Sequence, residues 1–185
     1  MLDLLKKTRS YRRFAEDRKI SNEDIRDIIS AVRLAPAAAN LQRIRIAPVT
    51  SEAECEAVFS CLGFAAYLKN WDGPAIGERP VAYLVIMTDA ELNVNLGVDA
   101  GLAAEAMLLV ARERGIGGCL FGSFTADALH QAIGRDGYTP ILVMALGYPA
   151  EEVVIEDVVD GNIRYYRDEV GVHHVPKRSV DEIII

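Results

Sequence analysis

Long uncharged apolar runs, a cationic excess and a cysteine framework are all missing from this chain of 185 residues. Acidic residues outnumber basic ones by 27 to 20, for a net charge of −7, so no cationic face for sequence-independent nucleic-acid binding is expected. Cys55, Cys61 and Cys119 form no C-x-x-C pair, and their odd number fits no disulfide framework. A reducing cytoplasm is their natural setting. The stretch Met1 to Ser10 breaks its leucines with lysines and an arginine and lacks the apolar core of a signal peptide. The longest near-apolar stretch, Gly101 to Val110, contains Glu105 and is too short to span a bilayer. A soluble, cytoplasmic protein is therefore expected. Neither G-x-G-x-x-G after a first strand nor a Walker A motif occurs, which excludes the common dinucleotide and P-loop domains. His130, His173 and His174 lack metal-ligand spacing and read as structural or solvated, so no metal site is expected. No Ser-His-Asp or Cys-His arrangement is visible.

What is there is a chain with 51% hydrophobic residues and a mean hydropathy of +0.14. That length suits one compact domain over residues 1–185, burying roughly 70% of the surface that the unfolded chain exposes. The slight apolar excess points to surface covered by a partner subunit. Leu2 to Thr8 reads as a short helix. Ser21 is an N-cap, with Ile25, Ile28, Ile29 and Val32 on one helical face, and Pro36 marks the end. Ile44 to Val49 is a strand that Pro48 assigns to an edge or a bulge. Glu52 to Cys61 is a short helix, 63–79 an irregular segment able to act as a lid, and Val81 to Met87 a buried strand. Asn93 to Arg114 is a long helix with apolar residues around much of its circumference, hence central or interfacial, and Gly115 ends it. Gly117 to Phe124 is a glycine-rich strand, Thr125 caps a helix to Ile133, and Ile141 to Leu146 is a buried strand. Beyond about residue 150 come a hairpin and an extension that ends in Ile183-Ile184-Ile185, which needs a surface to lie on. The order defines an α+β fold, an α/β sandwich.

Four constellations carry possible chemistry. Arg9-Ser10-Tyr11-Arg12-Arg13 alternates cations with hydroxyls and suits a phosphate, or is a solvated basic turn. Ala35 to Gln42 lets a flat ligand approach the backbone and offers the amides of Asn40 and Gln42, or is a helix-terminating loop. Gly115 to Phe124 exposes backbone N–H groups to a planar ring, or is simply close-packed. Lys177-Arg178 adds two cations near the C-terminus, or is solvated. Asp99, near the start of the long helix, reads as a partner of the helix dipole. Phe64, Tyr67 and Trp71 either cover a ligand or pack.

In their order and spacing these segments resemble the nitroreductase family of FMN-dependent oxidoreductases, and its small members in particular. The resemblance rests on R-S-x-R-x-F at Arg9 to Phe14, A-P-x-x-x-N-x-Q at Ala35 to Gln42, D-x-G-x-A-A at Asp99 to Ala104, the glycine strand, and G-x-x-H-V-P-K-R at Gly171 to Arg178. It implies a central, mostly antiparallel sheet flanked by helices, with a C-terminal extension reaching the partner of a homodimer that shares its active sites. It further implies that Arg9, Ser10, Arg12, Lys177 and Arg178 hold the FMN phosphate and ribityl chain. Pro36, Ala37, Ala38, Asn40 and Gln42 would line the flavin ring, and Leu120, Phe121, Gly122 and Ser123 would lie along it, with a backbone N–H near Gly122 facing N5. NAD(P)H would be the hydride donor and a small nitroaromatic or quinone the acceptor, in a ping-pong cycle without a side-chain nucleophile. Alternatives are a flavin-storage protein, or an FMN enzyme of dehalogenation or flavin cleavage. Two departures bear on substrate preference: alanines at 37 and 38 where the family often has serines, and Arg43-Ile44 where it often has Pro-Trp.

Overall fold

The structure, a computed structural model, describes residues 1–185. Its frame is a four-stranded, wholly antiparallel sheet in the order β1-β2-β4-β3, built from β1 (Ile44–Val49), β2 (Ala82–Thr88), β3 (Gly117–Phe121) and β4 (Thr139–Gly147). β2 has no polar residue before Thr88 and is buried throughout, because helices cover both faces of the sheet. Its alternate side chains divide between two cores. Tyr83, Val85 and Met87 pack beneath α3 (Glu52–Phe59) and α5 (Ala126–Ile133) with Val58, Leu129 and Val143. Ala82, Leu84 and Ile86 pack beneath α2 (Asn22–Ser30) and α4 (Val94–Glu113) with Ile28, Ala104 and Met107. Each large aliphatic side chain so enclosed contributes about 1.5–3 kcal/mol. β1 lies at the sheet edge, where Pro48 is tolerated.

The local signals hold in detail. The hydroxyl of Ser21 accepts from the Asp24 amide at 3.0 Å, and Gly115 follows α4 at φ +75°, a conformation that favours glycine. Thr125 stands at the N-cap of α5, but its side chain makes no cap bond. α1 covers Leu2–Lys7. Beyond the main sheet, β5 (Val153–Asp157), β6 (Tyr166–Arg167) and β7 (His173–Lys177) form a second, three-stranded sheet in the order β5-β7-β6. β6 and β7 are the expected hairpin, while β5, unmarked in the sequence, runs parallel to β7. The chain ends in α6 (Val180–Ile183), closed by a capping box between Ser179 and Glu182.

α4 is not enclosed on several sides within this chain: Val94, Val98 and Leu102, spaced one turn apart, stay exposed, and added Cβ atoms at Gly97 and Gly101 would meet nothing within 4 Å. By length and composition alone α4, which extends beyond the near-apolar stretch Gly101 to Val110 at both ends, is long and apolar enough to cross a membrane. Here it packs on α2, on α1 and on three strands of the main sheet, as the core helix of the fold. Ile183, Ile184 and Ile185 are exposed and find no covering surface within their own chain.

Candidate functional site

The basic arm follows α1 and lies along the edge of β3. Ser10 bridges Gly118 in parallel fashion, and the Tyr11 amide donates to the Gly118 carbonyl at 3.0 Å. This course requires glycine in the strand. A Cβ at Gly117 would stand 2.6 Å from the Tyr11 ring, and one at Gly147 would stand 2.7 Å from Phe14. Gly117 and Gly118 are therefore packing glycines, whereas a Cβ at Gly122 would meet only Leu142, at 3.9 Å. Gly122 alone of the three leaves its backbone open to a ligand.

Beside Gly122 is a cleft of about 170 Å³ lined by Arg12, Tyr165, Gly63, Ala65, Ala66 and the stretch 119–123. Leu120, Gly122 and Ser123 thus line the same cleft as Arg12 and Tyr165. The Phe121 side chain instead belongs to the core, with its ring centroid 4.9 Å from that of Phe64, so only its backbone faces this side. Burial pushes the Cys119 thiol up to about 11, which makes it a neutral lining group and no nucleophile. Phe64, Tyr67 and Trp71 roof this end of the molecule by packing. Trp71 meets Phe64 edge-on at 5.9 Å and carries the Arg167 guanidinium on its face at 4.3 Å, and Tyr67 packs on Tyr165 at 4.9 Å.

Arg12 is held by partners that sequence reading did not single out. Its guanidinium lies 3.1 Å from His173 Nε2 and 4.8 Å from the Tyr165 ring centroid. Arginine only donates, so His173 accepts through Nε2 and carries its proton on Nδ1, a buried atom with no partner. Burial first and the Arg12 charge second push His173 down to about 4, which keeps the ring neutral. The Arg12 and Arg13 amides both donate to Glu151, whose side chain is 1% exposed and also pairs with Arg167 Nη2 at 2.9 Å. Glu151 and Arg12 stand 139 residues apart, and nothing local marks the acid as special.

A second cleft, of about 220 Å³, contains Pro36, Ala37, Asn40 and Gln42, with Arg33 and Arg45 at its rim. Here the backbone is strained: Ala39, Asn40 and Gln42 have φ of 48°, 54° and 50°. Left-handed residues of this kind are a feature of ligand-binding loops. The loop is anchored by Asp99, 5% exposed, whose Oδ1 accepts from the Ala38 amide at 2.9 Å. That corrects the helix-dipole reading, since Asp99 lies in the second turn of α4 and serves the loop instead.

The two clefts share no residue, and within one chain the cationic segments do not meet. Arg9 donates to the Leu5 carbonyl at 2.7 Å, Arg178 pairs with Glu182 at 3.4 Å, and Lys177 closes β7 opposite Asp157. Lys177 lies four residues, roughly 13 Å of strand, beyond the His173 that Arg12 touches. A larger cavity, about 690 Å³, is elsewhere, between α3 and the loops around Glu16 and Gly77, and contains none of the candidate residues.

A helix-covered antiparallel sheet, with one cleft beside an open glycine and another beneath a strained loop, defines an α+β fold. The chain belongs to the nitroreductase family, whose sequence profile matches residues 5–148. A protein of Archaeoglobus fulgidus, provisionally named NADH dehydrogenase/NAD(P)H nitroreductase, is 29% identical over 172 residues, covering 88% of this chain and 92% of its own. Among solved structures, a nitroreductase family protein of Streptococcus pneumoniae superposes with a TM-score of 0.69 at 20% identity, covering all of this chain and 98% of its own. A provisional nitroreductase of Desulfovibrio desulfuricans, solved in complex with FMN, gives 0.72 at 21%, covering all of this chain and 94% of its own.

Proposed function

We propose that this chain is an FMN-dependent oxidoreductase. It works as a homodimer, takes hydride from NAD(P)H and reduces a small organic acceptor such as a nitroaromatic or quinone by a ping-pong mechanism. The observation that carries this reading is the pair of half-sized clefts. At about 220 and 170 Å³ each falls below the roughly 300 Å³ at which ligand pockets begin. Each nevertheless has the lining that a flat, anionic cofactor needs. Joined across two protomers, the cleft of Arg12 and the cleft of Asn40 and Gln42 make one site. The exposed stripe of Val94, Val98 and Leu102 beside two bare glycines offers the surface on which a second α4 would close. The aliphatic C-terminus is the extension that would lie on that partner.

Within such a site the chain's own groups divide the work. Arg12, fixed by neutral His173, presents a permanent positive charge toward the glycine strand. Arg9 and Ser10, with Lys177 and Arg178 brought by quaternary assembly, would complete the phosphate clamp. The open backbone at Gly122 would address the ring edge, and the amides of Asn40 and Gln42 the opposite polar edge. Bound FMN supplies the two-electron chemistry between donor and acceptor. No side chain here is built as a nucleophile, and the small residues Gly63, Ala65 and Ala66 leave space for donor and acceptor in turn. Three free, buried cysteines suit the cytoplasm.

Purification tests this directly. A dimer that retains FMN, with flavin absorbance bleached by anaerobic NADPH or NADH and restored by a quinone or nitroaromatic, is the expected result. A monomer indifferent to FMN would overturn the reading, and a yellow dimer that no nicotinamide bleaches would leave only storage.

A further inference from the structure

We propose that Glu151 is a positioning residue whose carboxylate fastens the ligand-facing arm of Arg12 to the aromatic roof over the glycine strand, so that clamp and roof move as one unit. The inference rests on the FMN reading above for the identity of the ligand.

The Glu151 side chain is 1% exposed, yet it carries a charge that must be satisfied where it lies. One oxygen, Oε1, accepts from two consecutive amides, those of Arg12 (a close contact) and Arg13 at 3.1 Å. Two successive N–H groups converging on one oxygen form a small anion nest, which fixes the backbone at Arg12 and so the direction its side chain takes. The other oxygen, Oε2, accepts from Arg167 Nη2 at 2.9 Å. Arg167, on β6, has a side chain 12% exposed and spreads its guanidinium over Trp71 at 4.3 Å. Trp71 meets Phe64, and Phe64 packs on the core-facing side chain of Phe121, a residue whose backbone lines the cleft. The path from carboxylate to cleft therefore closes on itself. One branch runs through the Arg12 amide to the guanidinium lining the cleft, the other through Arg167, Trp71 and Phe64 to the strand on its far side.

The chemistry requires a carboxylate. A neutral amide could still accept from the two backbone N–H groups, but its NH₂ would then face the donor-only guanidinium of Arg167. Loss of the negative charge would release Arg167, and with it the cation that holds Trp71. A residue that merely filled space would tolerate the isosteric amide.

Trp71 is the only tryptophan in the chain, so its emission reports the roof without any flavin. The experiment compares the full-length wild type with Glu151→Gln, Arg167→Met and the double variant. FMN is titrated into each, and Trp71 emission is recorded on the FMN-free proteins. Glu151→Gln should weaken FMN by about tenfold or more, as expected for loss of charge-assisted hydrogen bonds, and should shift Trp71 emission toward that of a solvent-exposed indole. Arg167→Met should give the same emission shift with a smaller loss of FMN. In the double variant the methionine removes the clash that the glutamine creates, so the combined loss should fall short of the product of the two single losses. Should Glu151→Gln fail to fold, Arg167→Met carries the same test from the outer end of the path. A folded Glu151→Gln with unchanged FMN affinity, or unmoved Trp71 emission in both single variants, would overturn the proposal. If the wild type takes up no FMN, the cofactor reading fails on that ground alone, while the emission of the same variants still decides whether Glu151 holds the roof.

Discussion

The two clefts are shaped by opposite means. The one beside Arg12 is held by a buried polar network: Glu151 satisfied by two amides and Arg167, and a neutral histidine that accepts from the arginine it orients. The one beneath the 36–42 loop is held by a single carboxylate-to-amide bond against three left-handed residues. The first presents charge on a rigid mount; the second presents neutral amides on a strained one. A phosphate-bearing ring asks for both, since the anion needs a fixed cation and the flat ring needs close backbone. Neither half reaches ordinary pocket size alone, so the contrast acquires functional meaning only if the halves face each other across two protomers.

The most severe way to break the pairing is to keep the protomers apart. Val98 is 55% exposed on the stripe of α4, so Val98→Glu should leave the isolated chain's stability within about 0.5 kcal/mol. In an assembled dimer it would bury an unpaired charge. Sedimentation should show a monomer, and FMN should be lost altogether in the same preparation. A dimer that still retains flavin would show that α4 does not mediate the contact.

Next in size is damage to the rigid mount. Glu151→Ala leaves Arg167 buried without its counter-charge and two amides without an acceptor, so denaturant unfolding should show a loss of about 3–5 kcal/mol. Asp99→Ala, on the strained side, removes one acceptor from one amide and should cost less, about 1–3 kcal/mol. Arg12→Ala should leave the fold close to wild type in stability and weaken FMN by about 1.5–3 kcal/mol, the range for a hydrogen bond to a charged group. If Asp99→Ala proved the more damaging carboxylate variant, the assignment of rigid and strained sides would have to be exchanged.

How far the sequence reveals these two sides differs with the range of the interactions. The buried strand β2 and the cap at Ser21 are written in neighbouring residues, and both are where the reading places them. The 36–42 loop is equally local, and Asn40 and Gln42 line a cleft. The mount of Arg12 is not local at all. Its acid lies 139 residues away and sits beside another glutamate, Glu152, with no pattern to set it apart. Tyr165, Arg167 and His173 reach the arm only because the second sheet folds back on it, and that sheet depends on β5, a strand without an alternating pattern to announce it. Asp99 was visible as an acid near a helix start, but its partner is a loop amide and not the dipole. The glycines at 117 and 118 were equally visible; that packing and not a ligand demands them is a matter of what lies across the strand.

The smallest expected effect, and the finest test of the rigid mount, comes from the adjacent histidines on β7. His173 faces inward, and burial and Arg12 hold it below its ordinary 6.5, at about 4. The unfolded chain therefore binds the proton first as pH falls, so stability from this residue is complete above about 6.5 and declines from there toward 4. His174 faces outward between Asp168, at 3.2 Å, and Glu156, at 3.0 Å, and its hydrogen bond to Asp168 raises its pKa above 6.5. Its contribution has the opposite sign: present in full below 6.5 and lost as pH rises through the folded value. Urea unfolding followed from about pH 5 to 8, the range in which histidines titrate, should therefore separate two otherwise similar substitutions. His173→Gln should flatten the acid limb of the stability profile, and His174→Gln should lower stability chiefly on the acid side, with little change at the alkaline end. Identical profiles for both variants would mean that the two faces of β7 do not differ as their partners require, and the neutral acceptor assigned to Arg12 would be lost with that difference.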